Sequence, residues 1–266
     1  MSDQQTMAEL LRWYLAAGAD EAIGEVPVDR LTRPAAPPSP IRQAAPARAP
    51  TPVTAAFQAV SAPSAATASA RSIAAAAMDL AELEAAVKAF DGCPLKKTAT
   101  NTVFADGDPS GGVMIIGEAP GADEDRLGRP FVGRSGQLLE RMLGAIGIDR
   151  SQAYITNILY WRPPGNRKPT TEEVAICLPF VLRHVALTAP KVVVLCGGTS
   201  TSAVLGRQEG ITRLRGRWFD LKVEGLEKSV PALATYHPSF LLRAPARKGE
   251  AWRDMLALQS KLEESV

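Results

Sequence analysis

Residues 117–139, GEAPGADEDRLGRPFVGRSGQLL, hold the residue types in this chain that are best suited to chemistry. The stretch combines glycines with the consecutive acids Asp123, Glu124 and Asp125 and with the aromatic Phe131. Glycines permit tight turns and close approach of the backbone to a ligand. Carboxylates orient water or act in acid–base steps, and an aromatic ring stacks on a flat ligand. The composition therefore predicts a polar pocket with one aromatic wall.

Two further segments carry polar side chains beside predicted strands. Asn157 ends the run YITN, and its amide offers one acceptor and two donors to a ligand. His237 precedes Pro238 in a predicted non-helical turn, where a neutral imidazole can donate a hydrogen bond to a developing anion. The structural alternatives are a turn-forming asparagine and a histidine without a chemical role. The second histidine, His184, lies in the helical run VLRHVAL and is predicted to be structural or exposed.

The elements around these residues alternate between strands and helices. GVMIIG is typical of a short buried strand, and SGQLLERMLGAIG has apolar residues at helical spacing. We predict strands at 112–117, 153–157, 191–196 and 231–235, and helices at 79–90, 135–146, 171–187, 199–205 and 249–263. Residues 213–223 are predicted as an added extended segment or hairpin.

This alternation predicts an α/β fold with three layers, α/β/α, around a central, mainly parallel four-stranded sheet. Open sheets of this kind bind ligands at the carboxyl ends of their strands. We therefore expect the acidic glycine loop, Asn157 and His237 to meet at that edge.

The chain divides by composition into three parts. The apolar periodic segments all follow residue 79, so we predict one catalytic domain at 79–266. Residues 33–78 are predicted to be a Pro/Ala-rich flexible linker, because 33–71 contain four arginines and no acid. Residues 1–32 are predicted to carry a short amphipathic helix at 6–17, which either docks on the domain or a partner or frays in solvent.

Charge and cysteine content bear on the compartment and the partners of the protein. The 266 residues carry a formal net charge of +2, which is too small by itself to indicate a polyanionic partner. The chain has three cysteines, no signal peptide and no apolar run near the ~18 residues of a membrane span. We therefore expect a cytoplasmic protein with reduced thiols and no membrane contact.

Three segments closely resemble motifs of family 4 uracil-DNA glycosylases: residues 117–139, YITNILYWRPPGNRKPT (154–170) and TYHPSFLLR (235–243). The resemblance extends from about Cys93 to about Leu256. It implies a monomeric, nucleoid-associated DNA repair enzyme that flips uracil out of DNA and hydrolyses its N-glycosidic bond. Because no lysine lies in the motifs to form an imine, we expect a monofunctional enzyme that leaves an abasic site.

The resemblance also implies roles for individual residues. Phe131 would stack on the base, Asn157 would recognise its N3 and O4 edge, and His237 would face its O2. The attacking water has several candidate partners, among which the sequence does not choose: Glu118, Glu124, Asp125 and Asn166. The structural alternative for the acids is capping of a helix N-terminus.

Two pocket positions depart from the wider superfamily. Ala119 stands where an acid is often found, which favours water orientation and electrostatics over a strong general base. Gly121 stands where the best-known branch has a tyrosine that excludes a 5-methyl group. We therefore hypothesise a base range that extends beyond uracil to other deaminated or damaged bases.

Contacts to DNA are expected from the segments that flank the pocket. Ser239 belongs to the HPS motif, and an apolar residue just after it can wedge into the base stack; Leu241 fits this spacing better than Leu242. Phosphate contacts are expected from cations on either side, with ordinary solvated charges as the alternative. These cations are Arg162, Arg167 and Lys168 around PPGN, and Arg243, Arg247 and Lys248 after the HPS motif.

The largest departure from family 4 concerns its [4Fe–4S] cluster, which four cysteines hold. Cys93 and Cys177 occupy the first and fourth of those positions, but Lys96 and Trp161 occupy the second and third. A cluster of this type needs four ligands. We therefore predict no iron–sulfur cluster, no other metal and no cofactor, with Trp161 filling the volume of the cluster. Cys196 lies in the apolar run VVVLCG and is predicted to be buried packing.

The sequence leaves open two functions other than that of a DNA glycosylase. One is a non-catalytic damaged-DNA-binding protein of the same fold; covalent capture through a histidine is disfavoured, because the GNRKP segment has Asn166 and no histidine. The other is a hydrolase of free nucleotides, which the missing GK[ST] ending and the acidic loop disfavour.

Overall fold

A computed structural model describes residues 64–264 of the chain. The predicted helical segment at 1–32 and the predicted linker up to residue 63 lie outside the described residues. Within 64–264, no helix combines the length and the apolar character that crossing a membrane requires.

Six strands form one sheet: β1 (Asp106–Gly107), β2 (Val113–Gly117), β3 (Ala153–Asn157), β4 (Val192–Cys196), β5 (Trp218–Leu221) and β6 (Val230–Thr235). They lie in the order β1-β3-β2-β4-β6-β5. The central four strands run parallel and match the four predicted strands. The prediction of four strands was incomplete, because β1 and β5 add antiparallel edges.

The two edge strands were not predicted as strands of the sheet for two separate reasons. β5 falls inside the segment 213–223, which was predicted to be extended. β1 has only two residues, so it is too short to show the alternation by which a strand is recognised in a sequence.

Nine α-helices are described within 64–264: α1 (Ala65–Ala76), α2 (Leu80–Ala89), α3 (Ala122–Leu127), α4 (Arg134–Gly144), α5 (Thr171–Thr188), α6 (Gly198–Leu205), α7 (Ile211–Leu214), α8 (Pro238–Arg243) and α9 (Lys248–Glu263). Five of them match the predicted helices. The four others were missed, and three of these have six residues or fewer, too few to show a helical period. α8 starts directly after His237, so the predicted non-helical turn is in fact a helix start.

The three-layer arrangement is confirmed by how strand side chains alternate between two cores. Met114 of β2 belongs to the core that also contains Phe180 of α5, together with buried residues of α1 and α2. Ile115, the next residue, belongs to the opposite core with Leu139 of α4 and Met255 of α9. Successive strand residues face opposite sides, so each parallel strand contributes to both cores.

Helix α1 lies within residues that were predicted to be linker. Ala70 and Ala74 are buried, and the helix packs against α5. Arg183 of α5 donates from Nε and Nη2 to the carbonyl oxygen of Ala77, at 2.9 and 2.6 Å. Alanine is the strongest helix former, and its small side chain permits close packing. The predicted linker was therefore drawn too long at its C-terminal end, since residues 65–76 form a packed helix.

Candidate active site

A cavity of about 540 Å³ opens at the carboxyl ends of the central strands, where ligand sites of such sheets are expected. Its wall contains most of the residues assigned to the site from the sequence: Glu118, Ala119, Gly121, Glu124, Phe131, Asn157, Asn166, Arg167, His237, Ser239 and Arg243. Leu241 and Arg162 do not line it.

Phe131 forms one apolar wall of the cavity. Its side chain is 4% exposed, and its ring stacks on that of His237 with 5.5 Å between the ring centroids and 27° between the planes. A Cβ on Gly117 would lie 2.5 Å from the Phe131 ring and 2.3 Å from Oδ1 of Asn157. The glycine at the end of β2 therefore leaves the space in which an aromatic ring and an amide meet.

Asn157 presents an unsatisfied acceptor inside this space. Its Oδ1 is buried and accepts no hydrogen bond, the one such side-chain atom within residues 64–264. Buried polar atoms are almost always paired, because leaving one unpaired costs about 1–3 kcal/mol. An orphaned acceptor in a cavity wall indicates that a ligand with a matching donor completes it.

His237 has a defined tautomer. The backbone N–H of Ser239 donates to Nδ1 of His237 at 3.1 Å, and the Ser239 hydroxyl lies 2.8 Å from the same nitrogen. A backbone N–H only donates, so Nδ1 is the acceptor and the proton of the neutral ring is on Nε2. Ser239, expected to contact DNA, also holds His237 in this tautomer.

The environment of His237 keeps its ring neutral. Burial, together with the smaller effect of the nearby positive charge of Arg243, lowers the pKa of His237 to about 4. Gly197 contributes to this enclosure, because a Cβ on it would lie 3.0 Å from Cβ of His237. At neutral pH the ring is therefore an uncharged hydrogen-bond donor.

Glu124 is fully engaged by the protein backbone. Oε2 accepts from the N–H of Gly121 at 3.0 Å, and Oε1 accepts from the N–H of Val132 at 2.9 Å and of Gly133 at 2.8 Å. The carboxylate thus joins the loop after β2 to the loop that carries Phe131. This engagement favours a structural role over the water-holding role that the sequence suggested. The neighbouring Asp125 is likewise engaged, by the N–H of Thr100 at 2.8 Å and other contacts.

Glu118 and Asn166 remain as candidates to hold a water. The Glu118 side chain lines the cavity and forms no hydrogen bond or ion pair within the described residues. Asn166 accepts from Nε of Arg162 at 2.8 Å through Oδ1, and it has a left-handed φ of 55°. Glu118 is therefore the carboxylate that is free to bind a ligand or a water.

The wedge role expected of Leu241 is not compatible with its position. Leu241 is 1% exposed and packs with Leu138, Tyr236 and Ala251 in a separate apolar cluster. Phe240 and Leu242 are the partly exposed apolar side chains of the same helix, α8. On a helix, adjacent residues point in different directions, so the short spacing in the sequence did not identify which leucine faces outward.

The expected cations differ in their surroundings. Arg243 is exposed at the rim of the cavity. Arg167 also lines the cavity, but its guanidinium binds both carboxylate oxygens of Glu173. Arg162 lies outside the lining and holds Asn166. Lys168, expected like Arg167 to contact phosphate, also lines the cavity.

Tyr236 is a lining residue that the sequence did not identify as one. Its hydroxyl donates to Oε2 of Glu250 at 3.0 Å, and the guanidinium of Arg215 lies 5.7 Å from its ring centroid. Arg215 in turn binds the buried Asp254 of α9. The one feature of the sequence that could have identified Tyr236 as a lining residue is its position next to His237, directly after β6.

The four positions that would hold an iron–sulfur cluster do not fit one. Nζ of Lys96 donates to Oδ1 of Asp91 at 2.7 Å and to the carbonyl oxygen of Lys88 at 2.6 Å. Trp161 is buried, and its Nε1–H donates to Oγ1 of Thr102 at 3.0 Å.

The two cysteines at the remaining positions interact with each other. A hydrogen bond between their side chains lowers the pKa of Cys93 and raises the pKa of Cys177. Within residues 64–264, no group of three or more His, Cys, Asp or Glu side chains is arranged to hold a metal ion. Two thiolates cannot replace the four that a cubane cluster requires.

Comparison with known proteins agrees with this site. The family model described as "Uracil DNA glycosylase superfamily" matches residues 104–256. A protein of Pyrobaculum aerophilum named "Type-4 uracil-DNA glycosylase" is 40% identical over 182 residues, which cover 67% of this chain and 92% of that protein. Proteins with the same name from Thermotoga maritima and Archaeoglobus fulgidus are 42% identical over 158 residues and 40% identical over 162; each alignment covers 59% of this chain and 80% of the relative.

The matched region contains the whole cavity wall, from Glu118 to Arg243. The chain spans more than nine-tenths of the Pyrobaculum aerophilum relative at a level of identity at which proteins share a family. This protein therefore belongs to the uracil-DNA glycosylase superfamily, and within it to the type-4 group.

Proposed function

We propose that this protein is a monofunctional uracil-DNA glycosylase that hydrolyses the N-glycosidic bond of uracil in DNA and leaves an abasic site. The observation that carries the proposal is the orphaned Oδ1 of Asn157, which shares a cavity with the Phe131 ring and with His237. The family to which the chain belongs and the names of its relatives support the same activity. The comparisons give no support to a non-catalytic DNA-binding protein.

Uracil is complementary to this cavity. Its N3–H is a donor for Oδ1 of Asn157, and its O4 is an acceptor for the amide N–H groups of the same side chain. The flat ring stacks on Phe131, as bases do on aromatic side chains. Cytosine has no hydrogen at N3, so it would leave Oδ1 of Asn157 without a donor, which disfavours it.

His237 would stabilise the leaving group. As the C1′–N1 bond breaks, its electron pair leaves with the base, and negative charge develops on O2 of uracil. The Nε2–H of a neutral His237 donates a hydrogen bond to that oxygen without transferring its proton, because burial keeps the pKa of the ring low. Ser239 maintains the tautomer by binding Nδ1.

Glu118 would bind the attacking water. The water oxygen forms a bond to C1′ of the sugar, and the carboxylate of Glu118 accepts the proton that the water releases. The uracil anion then takes a proton from solvent at N1. A carboxylate beside the sugar also stabilises the positive charge that develops there. We prefer Glu118 to Glu124 for this role because Glu124 is engaged by three backbone N–H groups.

The rim would bind DNA around the flipped nucleotide. Arg243, Arg167 and Lys168 line the cavity entrance and are suited to phosphates on either side of it. The partly exposed Leu242 is the residue that we propose as a wedge into the base stack. We further propose that the enzyme acts as a monomer in the cytoplasm, associated with the nucleoid, and that the absence of a side chain at Gly121 widens the base range beyond uracil.

Release of uracil from a labelled oligonucleotide, followed by alkaline cleavage of the abasic site, tests the proposal. We expect the wild type to cleave, and Asn157→Ala and His237→Ala each to lower the rate about 100- to 1000-fold, as loss of a transition-state hydrogen bond does. Asn101→Ala is a matched control, since Asn101 lies outside the cavity and binds the carbonyl oxygen of Asp125 at 2.7 Å. A wild type that binds uracil-containing DNA but releases no uracil would establish the non-catalytic alternative.

A further inference from the structure

The backbone at Phe131 has an unusual conformation. Its φ of 53° lies in the left-handed region, which bulky residues rarely adopt unless surrounding contacts enforce it. In this conformation the ring lines the cavity and stacks on His237. The position of the aromatic wall therefore depends on whatever holds this peptide.

Arg150 holds it with a guanidinium whose five N–H donors are all engaged. Nη1 donates to the carbonyl oxygen of Phe131 at 2.7 Å, and Nη2 donates to that of Pro130 at 2.6 Å. Nε and Nη2 donate to Oδ2 of Asp106 at 2.9 and 2.8 Å, and Nη1 donates to Oε1 of Glu140 at 3.0 Å. Hydrogen bonds from a charged donor are stronger than neutral ones, so two consecutive carbonyls are held firmly.

Glu124 and helix α4 also hold this loop. Glu124 accepts from the N–H groups of Val132 and Gly133. A Cβ on Gly136 of α4 would lie only 1.7 Å from the carbonyl oxygen of Phe131, so the helix packs directly on that peptide. Arg150 thus binds carbonyl oxygens of this loop, Glu124 binds its N–H groups, and Gly136 lets α4 pack against the Phe131 peptide.

We propose that Arg150 is a positioning residue for uracil excision: by binding the carbonyl oxygens of Pro130 and Phe131, it keeps the Phe131 ring where the base stacks. Arg150 does not line the cavity, so it acts through Phe131 and not through the substrate. Asp106 fixes the direction of the guanidinium from the edge strand β1. The inference rests on the proposed function, since the ring matters only if a base binds against it.

The test measures the single-turnover rate of uracil release from a single-stranded oligonucleotide, with wild type, Arg150→Ala and Arg150→Lys. We expect Arg150→Ala to lower the rate about 10- to 100-fold, the effect of a small misplacement of a positioned group. Arg150→Lys should recover little, because one ammonium cannot bridge Asp106 and two carbonyl oxygens.

A matched control and a double-mutant cycle separate positioning from general destabilisation. Arg183→Ala removes the same kind of partly buried arginine–carbonyl contact, to Ala77, between residues that do not line the cavity. We expect it to lower the thermal midpoint and leave the rate unchanged. In the Phe131→Ala background, Arg150→Ala should lower the rate less than twofold further, because its target is already gone.

The outcomes distinguish the two proposals. If the wild type releases no uracil, the proposed function fails and this inference with it. If the wild type is active and Arg150→Ala retains its rate, or loses the same factor with and without Phe131, only the positioning role is wrong. Should Arg150→Ala not fold, Arg150→Lys completes the same cycle.

Discussion

The rings of Phe131 and His237 stack on one another, with 5.5 Å between their centroids and 27° between their planes. One residue is proposed to bind the face of the base and the other to bind its O2. Because the two rings touch, a displacement of the Phe131 loop also displaces the donor to the leaving group. The positions of the Phe131 ring and of the His237 donor therefore depend on the same packing contact.

Gly117→Ala is expected to abolish most activity. The new Cβ would lie 2.3 Å from Oδ1 of Asn157 and 2.5 Å from the Phe131 ring, so both groups must move. We expect a fall of about 100-fold or more in the rate of uracil release, since positioning errors near 1 Å cost that much. Gly144→Ala is the control, because nothing lies within 4 Å of its Cβ position, and it should retain full activity. Equal rates for both variants would contradict the proposed crowding at the end of β2.

Stability is expected to fall as the pH is lowered from 7.5 to 5. Burial lowers the pKa of His237 to about 4 and that of His184 to about 3, whereas an unfolded histidine has a pKa near 6.5. Below pH 6.5 the unfolded chain therefore binds more protons than the folded one, so the free energy of unfolding decreases. Each histidine should account for a loss of ~2 kcal/mol at pH 5.

Urea unfolding at pH 7.5 and pH 5 measures this loss. The variant His237→Asn should show about half of the pH dependence, because His184 is then the one histidine left in the chain. Identical pH dependence in wild type and variant would show that His237 is not protected from protonation in the folded state.

The rate of uracil release is expected to stay nearly constant over the same range of pH, at a temperature where the protein remains folded. With a pKa of about 4, His237 stays neutral down to pH 5 and remains a donor through Nε2. A single-turnover rate that follows a pKa near 6.5 would exclude the buried neutral donor.

Substitutions of the two leucines of α8 are expected to affect different properties, Leu241 stability and Leu242 activity on duplex DNA. Leu241→Ala should lower the free energy of unfolding by about 2–5 kcal/mol, because this side chain is 1% exposed and its loss leaves a cavity. Leu242→Ala should lower stability less than Leu241→Ala, because Leu242 is only partly buried against the same cluster, but it should slow excision from duplex DNA more than from single-stranded DNA. Equal effects of Leu242→Ala on both substrates would argue against a wedge at that position.

Trp161 is expected to stabilise the protein in the space that a cluster would occupy. Trp161→Ala should lower the free energy of unfolding by about 3–5 kcal/mol, as loss of a buried aromatic does. Trp252→Ala is the control, since that side chain is 43% exposed. Wild type purified without oxygen should contain no stoichiometric iron and no brown chromophore, and the finding of either would overturn the prediction that no cluster is bound.

The central sheet and the identity of its site residues could be predicted because they depend on local patterns. The parallel strands are short, mainly apolar segments such as VVVLC, and the carboxyl ends of parallel strands lie at the same edge of a sheet. Asn157 and His237 end or follow two such runs, so their meeting follows from topology alone.

Other features depended on contacts between segments that are distant in the chain. Whether Leu241 or Leu242 faces outward was decided by the packing of α8 against Leu138 and Tyr236. The engagement of Glu124 by the backbone of residues 132 and 133 follows from how the loop folds back.

The sequence by itself thus determined which residue types gather at one edge of the sheet, because strand periodicity and strand direction are properties of short segments. Only the tertiary structure decided which of them are free to act. The Glu118 carboxylate has no hydrogen-bond or ion-pair partner within the described residues, whereas Glu124 is engaged by backbone N–H groups. Arg150, which no sequence pattern singled out, holds the Phe131 loop. A side chain's freedom depends on neighbours brought close by folding, and the local pattern of residues does not contain that information.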